Sequence, residues 1–254
     1  MADLRIQYTE CLTGNDHPSK PDTINRRCNV QHEVDGSHRQ ADYVGTKNIR
    51  IGLEAGTSIT TGIQNTFIGY QAGYSNTTGK YNSYFGYQAG NGGTSGLYNT
   101  AVGHRSGFSA IGGQYNTLLG ANSGRNCKGT RNTIIGPDSL YSGIGGDYNV
   151  FVGDRAGYNV AGIGKNVFVG GESGLNDTSG NENVNIGYLS GYTNTVGSCN
   201  TLIGAHAGYI QGTVSGNVFI GFAAGRNETK GKRLYVADSD TTTPLIYGEF
   251  DNDI

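Results

Sequence analysis

Tryptophan is absent from this chain of 254 residues, and methionine occurs only once. Only 15% of the residues are charged and the formal net charge is −2, which gives no clustered Lys and Arg for nucleic-acid binding. No apolar stretch reaches the roughly 18 residues of a membrane span, and residues 1–8 lack the apolar core of a signal peptide. These absences argue against nucleic-acid binding, membrane insertion and secretion, and they favour synthesis in the cytoplasm.

Catalytic and metal-binding motifs are missing as well. The four cysteines, Cys11, Cys28, Cys127 and Cys199, share no CxxC spacing, which favours unpaired reduced thiols. No Gly-x-Ser-x-Gly elbow, phosphate-binding loop or His-Glu-x-x-His occurs. The sequence therefore predicts neither an enzyme nor a bound cofactor.

Glycine dominates what is there, with 44 residues of 254. A chain rich in Gly and poor in hydrophobic residues is often disordered. However, 17 Tyr and 8 Phe, together with regularly placed Ile and Val, are too many for a solvated tail. A repetitive fold reconciles the two observations.

The repeat is Asn-[Thr/Val/Ser]-x-[Ile/Val/Phe/Leu]-Gly-x-x-[Ala/Ser]-Gly, and it recurs every 17 residues, with one step of 16. Eleven copies tile residues 48–233. The first Gly is present in every copy, and only Leu140 replaces the second. The leading asparagines are Asn48, Asn65, Asn82, Asn99, Asn116, Asn132, Asn149, Asn166, Asn183, Asn200 and Asn217.

Each repeat is too short for a helix pair and too rich in Gly for a helix. Its first residues, with β-branched side chains at alternate positions, are typical of a short strand bounded by glycine. We therefore predict an all-β protein, a parallel β-solenoid (β-helix or β-roll) of eleven coils. Stacked coils place equivalent residues about 4.8 Å apart, so the asparagines should form an amide ladder and the glycines should mark bends.

The two faces of the strand have different side chains. Thr66, Ile68 and their equivalents are predicted to fill the coil, which leaves the residue between them on the outside. Because a long exposed apolar stripe usually marks an interface, we expect an intertwined or side-by-side homotrimer. Burial of this stripe under the other side of the same coil is the alternative. The interface candidates are Phe67, Tyr84, Leu118, Ile134, Phe151, Phe168, Leu202 and Phe219.

The ends of the chain do not repeat. Residues 1–47 are predicted to be a domain that caps the first coil or attaches it to a partner, with an edge strand at 4–8 and a short helix after Asp22. Residues 234–237 fall in strand register with a missing twelfth Asn, and residues 241–250 predict a turn and a last strand. Residues 234–254 therefore form a C-terminal strand or cap. On a threefold axis, His17, His32 or His38 would give a three-His metal site, an alternative that remains open.

Tyrosines cluster at the predicted turns, directly before the Asn and directly after the second Gly. Stacking of their rings would hold the edge of the coils together. Exposed rings would also stack on the sugars of a host glycan. The glycan-binding candidates are Tyr74, Tyr141, Tyr158, Tyr192 and Tyr209.

The Asn-Thr-x-x-Gly-x-x-Ala-Gly unit resembles the repeats of phage tail fibre and spike proteins, and it is similar to the shorter unit of trimeric autotransporter adhesin heads. Residues 234–239 and 243–250 resemble the stretch that precedes endosialidase-type intramolecular chaperone domains, while residues 17–20, 22–26 and 32–38 are similar to fibre N-termini. The resemblance implies a trimeric appendage of a virion, with residues 1–47 bound to another virion, tail or baseplate protein. The chaperone domain itself does not follow, which implies its removal after folding or trimerisation without it.

We interpret the chain as a structural fibre or spike protein, with a host-surface glycan as a further candidate partner. One rival is a bacterial trimeric surface adhesin, which would carry a signal peptide and a membrane anchor. Another is a glycan-binding or ice-binding solenoid. Ice binding would require an unbroken, outward Thr column. Here the column is predicted to face inward, and it is interrupted by Val150, Val167, Val184 and Val218.

Overall fold

The computed structural model describes residues 30–34, 37–41, 47–110, 112–162, 164–210 and 212–250, with side chains from residue 47 onward. The predicted strand at 4–8, the helix after Asp22 and His17 lie outside the described residues. His32 and His38 lie in two strands of which only the backbone is described. The region from residue 47 to 250 carries the repeat, and its described residues contain no helix.

Two sheets contain all the described strands. β1 (Val30–Val34) and β2 (Ser37–Ala41) form an antiparallel hairpin. The second sheet has 13 strands in the order in which they occur along the chain. They are β3 Ile49–Ile51, β4 Thr66–Ile68, β5 Ser83–Phe85, β6 Thr100–Val102, β7 Thr117–Leu119, β8 Thr133–Ile135, β9 Val150–Val152, β10 Val167–Val169, β11 Val184–Ile186, β12 Thr201–Ile203, β13 Val218–Ile220, β14 Arg233–Val236 and β15 Ile246–Glu249.

The register of the second sheet is that of the repeat. Neighbouring strands from β3 to β14 are parallel, and equivalent residues pair, as Phe151 does with Phe168. The 16-residue step keeps the register, because Leu118 pairs with Ile134. The predicted parallel solenoid is therefore confirmed. Strand β14 adds a twelfth rung with Arg233 in the position of the Asn, and β15 closes the sheet antiparallel to β14.

Bends separate these three-residue strands, and we number the positions of the repeat from its Asn. At position 5 every repeat has a Gly with φ between +117° and +139°. At Gly136 a Cβ atom would lie 2.3 Å from the carbonyl oxygen of Gly153 in the next coil, so no side chain fits there. Position 7 and the last position are also left-handed, although residues such as Gln71 (φ 52°) and Tyr98 (φ 56°) occupy them. No sequence pattern marks these non-Gly bends, which restrict each coil to one short strand.

The core contains the middle residue of the strands from β4 to β14, at position 3, and the small residue at position 8 of each repeat. Successive side chains alternate along a strand, so those at positions 2 and 4 point outward. The predicted assignment of the two faces is therefore wrong. The side chains proposed for the trimer interface fill the core of a single chain instead, each at most 4% exposed: Phe67, Tyr84, Leu118, Ile134, Phe151, Phe168, Leu202 and Phe219.

The reason lies in the width of the coil. The ring of Phe67 lies directly against Gly73 at position 9, where an added Cβ would be 2.7 Å from the ring. One large side chain thus reaches from the strand to the opposite wall, which is glycine backbone. This is the burial within one coil that the sequence left open as an alternative. No helix in the described part of the chain is long and apolar enough to cross a membrane.

Candidate functional site

An asparagine ladder runs through the whole solenoid, as predicted. The side-chain oxygen of each Asn accepts a hydrogen bond of 2.8–3.0 Å from the backbone N–H of position 1 in the next coil, ending at Arg233. The amide nitrogen satisfies a carbonyl across the bend, as Asn82 does with Gly96 at 2.7 Å. These amides are buried, and an unsatisfied polar group there would cost about 1–3 kcal/mol. The ladder therefore fixes the stacking of the coils.

Tyrosine rings form further ladders at the bends, and the predicted ring stacking is confirmed. Tyr81, Tyr98 and Tyr115 occupy the last position of successive repeats, with centroids 4.5 and 4.9 Å apart. The guanidinium of Arg131 continues the stack, 5.3 Å from the ring of Tyr115 and 5.4 Å from that of Tyr148. We call this set the tyrosine ladder. It joins five consecutive coils through side chains alone.

The structure places the predicted glycan-binding tyrosines at position 10, where most of them also stack. Tyr141 packs on Tyr158 at 5.3 Å, and Tyr192 packs on Tyr209 at 5.1 Å. Arg125 lies over Tyr141, and Arg226 lies over Tyr209. Both faces of two of these rings are therefore covered, which disfavours sugar stacking there.

These glycan candidates do not converge on one site. They lie as two separate pairs along the rod, because the intervening residue at position 10 is the buried Leu175. Tyr74 is farther along the column and is 36% exposed. Glycan binding by this column remains a prediction.

The outer face, formed by positions 2 and 4 of β3–β14, was missed as a surface by the sequence analysis. It carries no charged residue. Position 2 holds Thr, Ser, Val, Ile or Leu. Position 4 is an unbroken apolar column: Ile51, Ile68, Phe85, Val102, Leu119, Ile135, Val152, Val169, Ile186, Ile203, Ile220 and Val236.

Because the Thr column faces outward, one of the two arguments against an ice-binding face is wrong. The other stands, since Val150, Val167, Val184 and Val218 still interrupt the column. In addition, position 4 varies in size from Val102 to Phe85, so the outer face does not repeat one shape.

A buried polar cluster interrupts the core near its C-terminal end. The carboxylate of Asp177 accepts hydrogen bonds from the backbone N–H of Gly180 at 2.7 Å and from the amides of Asn183 and Asn194 at 3.1 and 3.3 Å. Burial outweighs these bonds and raises the pKa of Asp177 to about 7. Asn185 stands at position 3 between Phe168 and Leu202, and neither of its side-chain polar atoms has a hydrogen-bond partner among the described residues.

The remaining titratable groups are dispersed. His104 stacks on Tyr87 at 5.1 Å, and Arg155 lies between two carboxylates, 3.9 Å from Asp154 and 3.3 Å from Glu172. Within the described ranges no group of three or more His, Cys, Asp or Glu could hold a metal ion.

The cysteines of the described region are unpaired, as predicted. Cys127 is buried and Cys199 is exposed. Burial raises the pKa of the Cys127 thiol to about 11, which keeps it protonated and unreactive. Cys11 and Cys28 lie outside the described residues.

The geometry thus offers a stiff rod, an uncharged outer face and ladders of stacked rings. Comparison with known proteins assigns none of these features: no family model matches the chain, and no curated protein or solved structure matches it.

Proposed function

We propose that this protein is a structural component of a virion, a phage tail fibre or spike, in which the solenoid serves as a rigid shaft. The observation that carries the proposal is the unbroken register of parallel strands from β3 to β14. Eleven spacings of about 4.8 Å give a rod of roughly 53 Å. Its repeat resembles that of phage fibre proteins.

Stiffness follows from how the coils are joined. Besides the strand pairs, backbone hydrogen bonds link the bends of successive coils, as between the N–H of Gly73 and the carbonyl of Ala89 at 2.9 Å. The asparagine ladder adds a bond inside every coil, and the tyrosine ladder adds contacts outside. A force along the axis is therefore shared among several parallel rows of interactions, which suits a shaft.

The homotrimer is retained in this proposal, but with a different interface. The outer face is about 50 Å long and about 12 Å wide, on the order of 600 Å². A stable interface takes roughly 800 Å² from each partner. The exposed rings of Tyr188 and Phe222 at position 6 border the outer face and extend its apolar area. Three rods that turn this face to a common axis would cover it.

Lysines on the outer face should separate the subunits. Ile186 and Ile203 are both 37% exposed at position 4, so the double variant Ile186→Lys with Ile203→Lys should stay folded. Analytical ultracentrifugation should give about three times the chain mass of 26.7 kDa for the wild type and the single mass for the variant. The matched control is Ile210→Lys, because Ile210 is 45% exposed but lies away from the outer face. A wild-type monomer at micromolar concentration would contradict the trimer.

The non-repeating residues 1–47 are proposed to attach the shaft to another virion, tail or baseplate protein, because a repetitive surface offers the same contacts in every coil and cannot define one attachment register. Host-surface glycans are the proposed target of the shaft itself.

Location tests the proposed function directly. An antibody raised against the shaft should label an appendage on intact virus particles purified from the source of the gene, and it should not label intact uninfected bacteria. Electron microscopy of the labelled particles gives the result. If the antibody labels the bacterial surface and does not label the particles, the proposal is overturned in favour of the adhesin, the rival that shares the repeat.

A further inference from the structure

An open groove of about 770 Å³ runs along the bends of the middle coils. Glycines form much of its floor, and at Gly164 the chain lacks the larger side chain that Leu97 and Gln114 supply at the same position of their coils. Pockets for small molecules commonly measure about 300–1,000 Å³. The lining residues are Lys128, Gly129, Gly145, Gly146, Asp147, Tyr148, Gly162, Gly164, Lys165, Asn181 and Glu182.

The groove opens at the end of the tyrosine ladder. One face of the Tyr148 ring is covered by Arg131, whose guanidinium also donates a hydrogen bond of 2.8 Å to the Tyr148 hydroxyl. Among the described residues, no ring or cation covers the other face. Tyr148 is 54% exposed, compared with 45% for Tyr98 in the middle of the ladder. The next residue in the column, Lys165, is held 3.0 Å from the carboxylate of Glu182.

A hydrogen-bond acceptor, Asp147, and a hydrogen-bond donor, Lys128, line the groove together with this ring. One carboxylate oxygen of Asp147 accepts the backbone N–H of Thr130 at 2.7 Å, and its second oxygen has no hydrogen bond within the described part of the chain. Lys128 is exposed, and none of the described residues forms an ion pair with it. The groove thus offers a free acceptor and a free donor beside an aromatic face.

We propose that this groove binds a neutral oligosaccharide, with Tyr148 as the stacking platform and Asp147 and Lys128 as hydrogen-bonding groups. The C–H face of a pyranose ring is apolar and slightly positive, which complements the negative face of an aromatic ring. Adjacent sugar hydroxyls donate to a carboxylate and accept from an ammonium group. The charges of the groove balance, two lysines against Asp147 and Glu182, which favours an uncharged ligand.

The proposed site differs from the tyrosines that the sequence suggested. Tyr141 and Tyr209 have both faces covered, whereas Tyr148 lines an open groove and has a ring or cation on one face only among the described residues. The inference rests on the host-surface part of the proposed function and is independent of the shaft.

Isothermal titration of the full chain with chitotriose, maltotriose and cellotriose, each tested separately, examines the inference. At least one trisaccharide should bind with a dissociation constant of about 1 mM or below. Tyr148→Ala should weaken that binding by at least about tenfold, and Asp147→Asn by about threefold to fivefold, because the amide keeps the bond to Thr130 but loses the charge.

Tyr98→Ala is the matched control, since it removes a ring of the same ladder that lies away from the groove. Its binding should stay within about twofold of the wild type. Circular dichroism checks that each variant is folded, and if Tyr148→Ala does not fold, Asp147→Asn decides. The inference is overturned if none of the three sugars binds the wild type at a sugar concentration about 10-fold above the expected dissociation constant. It is also overturned if Tyr98→Ala and Tyr148→Ala weaken binding equally. Sedimentation of the same samples distinguishes the failure of this inference from the failure of the proposed function. If no sugar binds but the protein still sediments as a trimer, the sugar site is rejected and the proposed shaft is unaffected.

Discussion

Ile134→Asp should unfold the solenoid, while the same change at the next residue, Ile135→Asp, should leave it folded. Ile134 is the middle residue of β8 and is 0% exposed, so its replacement would bury an unpaired carboxylate in the core. Such a charge costs on the order of 5 kcal/mol, or the protein avoids it by unfolding. Ile135 points outward at position 4, where the carboxylate remains in water and should cost less than about 1 kcal/mol.

Thermal unfolding followed by circular dichroism measures the difference. The two variants are matched in residue type, strand and added charge, so only the direction of the side chain differs between them. Measurements at low protein concentration keep the result independent of association, which Ile135→Asp should weaken because it alters the outer face. A larger loss of stability for Ile135→Asp than for Ile134→Asp would show that the two faces have been assigned incorrectly.

The solenoid and its register could be predicted because identical residues recur at a fixed spacing. A buried Asn is costly alone, but Asn82 bonds to the equivalent Asn65 and Asn99 when the coils are stacked in register. The glycine at position 5 also indicates stacking in register, since only a residue without a side chain leaves room for the carbonyl of the next coil. Repetition therefore determines both the coil length and the stacking.

The inward face could not be chosen from hydrophobicity. Position 4 is apolar in every repeat, whereas position 3 includes Arg50 and Asn185, so the outward column is the more hydrophobic of the two. The direction is decided by the width of the coil, in which one large side chain at position 3 reaches the glycine backbone at position 9. The bends that shape the coil include left-handed residues at position 7 and at the last position, and ordinary residues such as Tyr98 occupy them, so no glycine in the sequence marks them.

The candidate groove could not be predicted from the sequence either. Tyr148 precedes its Asn as three other tyrosines of the ladder do, and nothing in the local sequence distinguishes it. Its difference arises from neighbours one coil away, where Gly162 and Gly164 line the same groove.

Asp177 should make the stability of the solenoid depend on pH. Its pKa is raised from 3.8 to about 7 by burial, so the folded chain holds a proton between these values that the unfolded chain releases. The resulting stabilisation is complete below about pH 4 and is lost as the pH rises through about 7. The difference is on the order of 4 kcal/mol, since each pKa unit corresponds to about 1.4 kcal/mol.

Asp177→Asn should therefore flatten the profile of the melting temperature between pH 4 and pH 9, because it removes the titrating group. The amide oxygen can still accept the N–H of Gly180, whereas the amide nitrogen cannot accept the hydrogen bonds that Asn183 and Asn194 donate, so the variant loses stability by an amount that does not depend on pH. Asp154→Asn is the control: this carboxylate is 54% exposed, so its removal should leave the slope of the profile unchanged. A wild-type melting temperature that stays constant from pH 5 to pH 8 would mean that the buried carboxylate is already charged in the folded chain. The three hydrogen bonds from Gly180, Asn183 and Asn194 would then outweigh its burial, contrary to the balance argued for this cluster.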